Sequence, residues 1–144
     1  HLLTAEGADT SALFVEKSFC TPHKTRVIAS SQQIVRIDHE PSGALSSQTE
    51  EQVLLGIPTL VAACDLVAIS DYAKGFLSKN VLSALIAAAK ARGVPVISDP
   101  KGSDFTRYTG STILKPNLSE AFSAVPPGCT TLLDAAKHIF NSVE

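Results

Sequence analysis

Three short clusters of charged and amide residues each follow an apolar run, and their side chains could hold a phosphate and its metal ion. The clusters are residues 70–75, 98–102 and 115–120. Apolar runs of this length are typical of strands buried on both faces, as in parallel sheets, where ligands bind at the carboxyl ends of the strands. We therefore expect the clusters to meet at one sheet edge. The side chains with the required chemistry are Lys74, Lys101, Asn117 and Glu120.

Asn117 and Glu120 lie three residues apart, where a predicted strand passes into a predicted helix. Mg²⁺ prefers oxygen ligands and keeps several waters, so this pair could hold a hydrated ion while a nucleotide supplies phosphate oxygens. The same spacing is typical of a helix start, with Asn117 as the N-cap and Glu120 at the third helical position of a capping box. The spacing alone supports both interpretations.

The other charged residues at these positions also allow a binding and a structural interpretation. Lys101 could neutralise phosphate charge, or it could be a solvated loop lysine. Asp71 and Asp99 could orient a lysine or bind a metal through water, or they could accept hydrogen bonds from nearby backbone and shape their turns. Arg26 and Arg36, on two predicted strands, could bind an anionic substrate, or they could be solvated or paired with surface carboxylates.

The composition excludes several classes of protein. Hydrophobic residues make up 44% and charged residues 18% of the 144 positions, as in a compact soluble protein. The net charge of -2 offers no basic face for nucleic acid. No apolar stretch approaches the ~20 residues of a membrane span. The three cysteines are scattered and suggest neither a disulfide framework nor a zinc site. We therefore expect no nucleic-acid partner and no membrane.

Residues 1–43 are predicted to form a β extension. Alternating polar and apolar residues predict strands at 13–19, 24–30 and 32–38, with Ser30 and Ser31 as a tight connection and a turn at 41–43. The mixed pattern of the third strand is typical of a sheet that is not buried on both sides.

Residues 44–144 are predicted to be the central part of an α/β body, a parallel sheet flanked by helices. A helix from Thr49 is expected to break at Pro58, and the next helix should be capped by Ser78 and end at Gly93. The remaining predicted elements are strands at 66–70, 94–98 and 112–114, a short helix from 118 and a helix at 130–143. The apolar face of this last helix still needs a partner sheet, so we expect one incomplete domain of a larger protein.

Five segments in this order resemble the ribokinase-like (PfkB) carbohydrate kinases, and among them most of all the heptose 7-phosphate kinases of ADP-heptose synthesis. The segments are 24–27, 32–38, 70–75, 99–105 and 116–120. The resemblance implies ATP-dependent phosphorylation, with Mg²⁺, of D-glycero-D-manno-heptose 7-phosphate at O1 on the route to lipopolysaccharide core. It also implies a cytoplasmic enzyme whose β extension is a lid over the sugar and could form a homodimer through its strands.

The resemblance assigns roles to residues of this chain. It places Asp99 and Lys101 at ATP, and Asn117 and Glu120 at Mg²⁺ through water and at the phosphates. It places the sugar phosphate at Arg26, Arg36, Asp71 and Lys74. The family's Gly-Ala-Gly-Asp segment, which carries the aspartate that activates the sugar hydroxyl, has no counterpart here. The resemblance therefore implies no catalytic residue in this chain, and we expect the isolated chain to be inactive.

Two alternatives remain open from the sequence. The protein could be another PfkB-type kinase with a different sugar or a nucleoside as its substrate. It could also be a non-catalytic α/β binding module that happens to gather aspartates at its strand ends.

Overall fold

An antiparallel hairpin precedes a parallel sheet flanked by helices in the computed structural model, which describes residues 2–16, 19–40 and 43–143. In chain order the elements are α1 (Leu2–Ala5), β1 (His23–Ala29), β2 (Gln32–His39), α2 (Ser47–Ala62), β3 (Val67–Ser70), α3 (Lys79–Ala91), β4 (Val96–Asp99), a 3-10 helix (Phe105–Tyr108), β5 (Ile113–Leu114), α4 (Leu118–Ser123) and α5 (Leu132–Val143). The predicted α/β fold class is confirmed.

The parallel sheet has the order β3-β4-β5, so β4 lies in the centre. Ser70 pairs with Asp99, and Ser98 pairs with Leu114, which brings the carboxyl ends of all three strands side by side. Val96 and Ser98 of β4 are fully enclosed, and the Ser98 hydroxyl lies 2.8 Å from the Ser111 hydroxyl. The buried hydroxyl is thus satisfied, as a polar group in a core must be.

Helix α3 begins and ends where the sequence predicts. The Ser78 hydroxyl accepts a hydrogen bond of 3.1 Å from the Val81 N–H, and Gly93 follows the helix with φ +69. The Ser78 hydroxyl also donates to Glu50 Oε1 at 2.5 Å, which ties α3 to α2. The buried residues of α3 recur on one face, and they are Val81, Leu82, Ile86 and Ala89.

The predicted break at Pro58 is wrong, because α2 continues from Ser47 to Ala62. Pro58 lies on the exposed side, whereas Val53, Ile57 and Val61 are buried on the opposite face. Proline removes one backbone hydrogen bond, but Ile57 before it and Val61 after it both pack in the hydrophobic core. Packing therefore outweighs the local preference.

The hairpin β1–β2 is confirmed, with Ser30 at φ +47 and Ser31 at φ +69 in its two-residue turn. Every residue of both strands is exposed. The strand predicted over 13–19 is wrong for the residues that the structure describes, since 13–16 and 19 form none; residues 17 and 18 lie outside the described chain. The predicted turn at 41–43 also falls mainly on undescribed residues, 41 and 42.

Helix α5 leaves most of its predicted apolar face uncovered. Ile139 is buried, but Leu132 is 59% and Phe140 60% exposed. They line a groove of about 630 Å³ together with Leu114 and Leu118. Within the described ranges, no helix has the length and hydropathy that crossing a membrane requires.

Candidate functional site

The three sequence clusters do meet at the carboxyl edge of the sheet. The Asp71 N–H donates to the Asp99 carbonyl at 3.0 Å, and the Lys115 N–H donates to the Ser98 carbonyl at 2.9 Å. The Lys115 ammonium lies 3.0 Å from Asp99 Oδ1. Backbone pairing therefore fixes the starting points of the three loops relative to one another, as expected for parallel strands.

Lys101, Asn117 and Glu120 form one connected group at this edge. Lys101 Nζ donates to Glu120 Oε1 at 2.7 Å, which raises the pKa of Lys101 and lowers the pKa of Glu120. The Asn117 N–H donates to Glu120 Oε2 at 3.0 Å, and the Glu120 N–H donates to Asn117 Oδ1 at 2.9 Å. The capping box that the sequence allowed is thus formed, and it holds Glu120 facing the lysine.

The donor set suits a hydrated Mg²⁺ more than a fully protein-bound ion. One carboxylate and one amide oxygen are hard ligands of the type that Mg²⁺ binds directly or through water. In the described part of the chain, no group of three or more His, Cys, Asp or Glu side chains could hold a metal. An ion beside Asn117 and Glu120 would therefore need most of its ligands from water and phosphate.

A charged pocket of about 510 Å³ lies beside the loop that follows β3. Its lining includes Lys74, Glu40, Asp71, Arg107 and Ser78. Lys74 is thus placed where an anionic substrate could reach it. Asp99 and Lys101 are not among the described residues that line this pocket, so the predicted sugar and nucleotide residues lie in neighbouring regions of the same edge.

Asp71 lines this pocket, and its carboxylate is already engaged by the protein. Only 8% of it is exposed. Oδ1 accepts from the Ala73 N–H at 2.7 Å, and Oδ2 accepts from the Tyr108 hydroxyl at 2.6 Å. The Arg107 guanidinium lies 3.7 Å from Oδ2 and donates to the Leu77 carbonyl at 2.6 Å. The turn-shaping alternative given for Asp71 is therefore present in the structure.

Sequence reasoning missed Arg107 and Tyr108. Both belong to the short 3-10 helix between β4 and β5. Burial and the hydrogen bond to Asp71 raise the pKa of Tyr108 to about 12. No motif spacing marks either residue. The only signal in the sequence is their position in the connection between the second and third clusters.

Arg26 and Arg36 lie outside the pocket. They face each other across the hairpin, and Arg36 Nε is 3.0 Å from Asp38 Oδ1. Neither is among the described residues that line the pocket around Lys74. Their predicted contact with the substrate phosphate stays a prediction, and it requires the hairpin to approach that pocket.

Glu40 connects the hairpin to the body, and no motif or spacing marks it in the sequence. Its carboxylate accepts from Lys24 Nζ at 2.6 Å and from Lys74 Nζ. These two ammonium groups, Lys24 first, lower the pKa of Glu40 to about 2. One carboxylate thus bridges β1 and the loop that follows β3.

Because the pKa of Glu40 is lowered on folding, its contribution to stability should be complete above the ordinary value of 4.5 and lost as the pH falls towards about 2. We expect the difference in Tm between wild type and Glu40→Gln to be constant above pH 5 and to shrink to near zero at pH 2. Thermal unfolding followed by circular dichroism at several pH values measures this difference. A difference that does not vary with pH would contradict the proposed bridge.

The described fold is a parallel α/β sheet flanked by helices, with an antiparallel hairpin before it, and no family model matches the chain. The chain is similar to proteins named "Bifunctional protein HldE". It is 46% identical to that of Geotalea uraniireducens over 124 residues, which is 86% of this chain and 25% of the relative. It is 44% identical to that of Trichlorobacter lovleyi over 119 residues, 83% and 24% of the two proteins.

A more distant relative gives the same result. The Wolinella succinogenes protein of the same name is 38% identical over 118 residues, 82% of this chain and 25% of the relative. The chain thus spans about a quarter of the length of these relatives. The resemblance stated from the motifs is confirmed.

Proposed function

We propose that this chain is part of an ATP-dependent kinase that phosphorylates O1 of D-glycero-D-manno-heptose 7-phosphate in the cytoplasm, for ADP-heptose synthesis. The proposal depends most on one observation: Lys101 pairs with Glu120 at 2.7 Å at the carboxyl edge of the parallel sheet. A cation and an oxygen-ligand pair side by side are what a nucleotide phosphate with Mg²⁺ requires. The similarity to the HldE proteins supports the heptose substrate.

In this mechanism the sugar O1 attacks the γ-phosphorus of ATP, the bond from that phosphorus to the β,γ-bridging oxygen breaks, and ADP leaves. Phosphoryl transfer depends mainly on positioning and on charge stabilisation. Lys101 would leave Glu120 for the phosphates, and Asp99 would keep Lys115 in place beside them. Mg²⁺, held through water by Asn117 and Glu120, would neutralise phosphate charge. The base that takes the hydroxyl proton would lie outside these residues.

Lys74 and the pocket around it would hold the sugar phosphate, with Asp71 among the residues that line it. The hairpin would act as the lid and would bring Arg26 and Arg36 to the substrate. Its exposed apolar residues, including Ile28 at 62% and Ile37 at 57%, would also allow pairing with the hairpin of a second copy. A lid that closes and a lid that dimerises are compatible, since each strand has two faces.

The test uses the complete gene product, meaning the whole polypeptide in which this sequence occurs. Incubated with ATP, Mg²⁺ and D-glycero-D-manno-heptose 7-phosphate, it should produce ADP and a second phosphorus signal at C1 of the sugar in ³¹P NMR. Fructose 6-phosphate and adenosine, tested in parallel, should react far more slowly. The 144-residue chain alone should give no turnover.

Each other outcome has a definite meaning. Faster reaction of another sugar or of the nucleoside would identify a different kinase of the same class. Complete lack of ATP turnover by the whole polypeptide would favour a non-catalytic binding module and contradict the proposal.

A further inference from the structure

We propose that Tyr108 is a positioning residue that joins the loop lining the sugar-side pocket to the loop carrying Lys101. The tyrosine hydroxyl donates to Asp71 Oδ2 at 2.6 Å and accepts from the Lys101 N–H at 3.2 Å. One oxygen therefore links the loop after β3 to the loop after β4. This inference rests on the proposed kinase function, because it concerns the placement of Lys101.

The geometry around Tyr108 is fixed by burial. The tyrosine is 0% exposed. Within the described ranges, no other single side-chain atom hydrogen-bonds to both of these loops. The Arg107 guanidinium lies over its ring, 5.9 Å from the centroid, and 3.7 Å from the same Asp71 oxygen. A buried hydroxyl with both a donor and an acceptor partner has one favoured orientation, since rotating it would leave a buried polar group unsatisfied.

Asp71 transmits this constraint to the sugar-side pocket. Its second oxygen accepts from the Ala73 N–H at 2.7 Å, and Ala73 has φ +53, a left-handed conformation that costs energy for a residue with a side chain. Lys74, the next residue, lines the pocket. The chain Lys101–Tyr108–Asp71–Ala73 thus fixes the backbone next to both predicted phosphate-binding lysines.

Lys101 is consequently held at two points. Its backbone N–H contacts Tyr108, and its ammonium contacts Glu120 at 2.7 Å. When a phosphate replaces Glu120 as the partner of the ammonium, only the backbone contact would still fix the loop. A displacement of ~1 Å at a positioning group can cost on the order of 100-fold in rate. We therefore expect the Tyr108 hydroxyl to matter more for turnover than for folding.

The test compares Tyr108→Phe, which removes the hydroxyl and keeps the buried ring, with Ser142→Ala, which removes a hydroxyl of α5 that donates to the Ile139 carbonyl at 2.7 Å and belongs to neither loop. Both are made in the complete gene product. For Tyr108→Phe we expect kcat to fall about tenfold or more and the KM for ATP to rise, with amide exchange in the peptide containing Lys101 faster by about tenfold. Ser142→Ala should match wild type in all three.

A core variant separates positioning from general destabilisation. Val53→Ala shortens a buried side chain of α2 that is 5% exposed and lies outside the group of core side chains that includes Tyr108, and it should lower Tm without changing kcat or the exchange of Lys101. The proposal is overturned if Tyr108→Phe keeps the wild-type kcat, KM for ATP and amide exchange, whether or not its Tm falls. If wild type shows no kinase activity, the proposed function fails, and exchange at Lys101 alone decides whether Tyr108 orders the loop.

Discussion

Glu120→Gln in the complete gene product is expected to lower kcat about 100-fold and to raise the Mg²⁺ concentration needed for half-maximal rate, while Tm stays within about 4 °C of wild type. Glutamine is accepted at the third position of a capping box, so the hydrogen bond that Glu120 Oε2 accepts from the Asn117 N–H can be retained. What the substitution removes is the negative charge beside Lys101 and beside the proposed Mg²⁺ position. Kinetics at varied Mg²⁺, with Tm measured on the same samples, check the prediction.

This variant separates the two interpretations of the Asn117 and Glu120 pair better than alanine does, because alanine at either position also removes a cap worth ~1 kcal/mol. Asp134→Asn is the matched control. Asp134 stands at the same third position of α5, where its N–H donates to the Thr131 hydroxyl at 3.2 Å, and it lies outside the site. Its kcat and Mg²⁺ dependence should equal those of wild type. If Glu120→Gln behaved in the same way, Glu120 would be a capping residue only.

The second large effect is expected for Gly75→Ala, which should lower the free energy of unfolding by about 3 kcal/mol or more. A Cβ atom on Gly75 would lie 1.7 Å from the Gly43 carbonyl oxygen, and the backbone has φ +91. Both the contact and the backbone conformation exclude a side chain, so either the loop after β3 or the segment at Gly43 must move. Denaturant unfolding measures the loss, and it should be accompanied by weaker binding of the sugar phosphate.

Gly102→Ala provides the control for the backbone term alone. Gly102 has φ +88, and a Cβ there would meet nothing within 4 Å. Its cost in unfolding free energy should be about 1 kcal/mol. Equal losses of unfolding free energy for Gly75→Ala and Gly102→Ala would show that the close approach to Gly43 adds nothing to the cost.

The body of the fold was predictable because local and global preferences agree there. The apolar runs before Ser70 and Asp99, the Ser78 cap and the stop at Gly93 all indicate the same βα units. Pro58 was mispredicted because its local effect opposes packing, and only the buried faces of α2 on both sides of it show which one prevails. The sequence cannot supply that comparison.

The candidate site divides in a similar way. The placement of Lys101, Asn117 and Glu120 at one sheet edge was predictable because it follows from strand ends and helix starts, which are local features. Tyr108 and Glu40 were not, since each acts across a long sequence separation, Tyr108 on Asp71 and Glu40 on Lys24 and Lys74. The spacing of residues along a chain carries no information about such contacts until the tertiary structure is known.

The central claim is that Lys101 and the Asn117 and Glu120 pair frame one nucleotide phosphate and its Mg²⁺. A crystal structure of the complete gene product with Mg²⁺ and a non-hydrolysable ATP analogue tests it most directly. We predict that Lys101 Nζ leaves Glu120 and lies within hydrogen-bond distance of a phosphate oxygen, with Mg²⁺ held through water by Asn117 and Glu120. Phosphates bound away from this edge, with the Lys101–Glu120 pair still intact, would contradict the account.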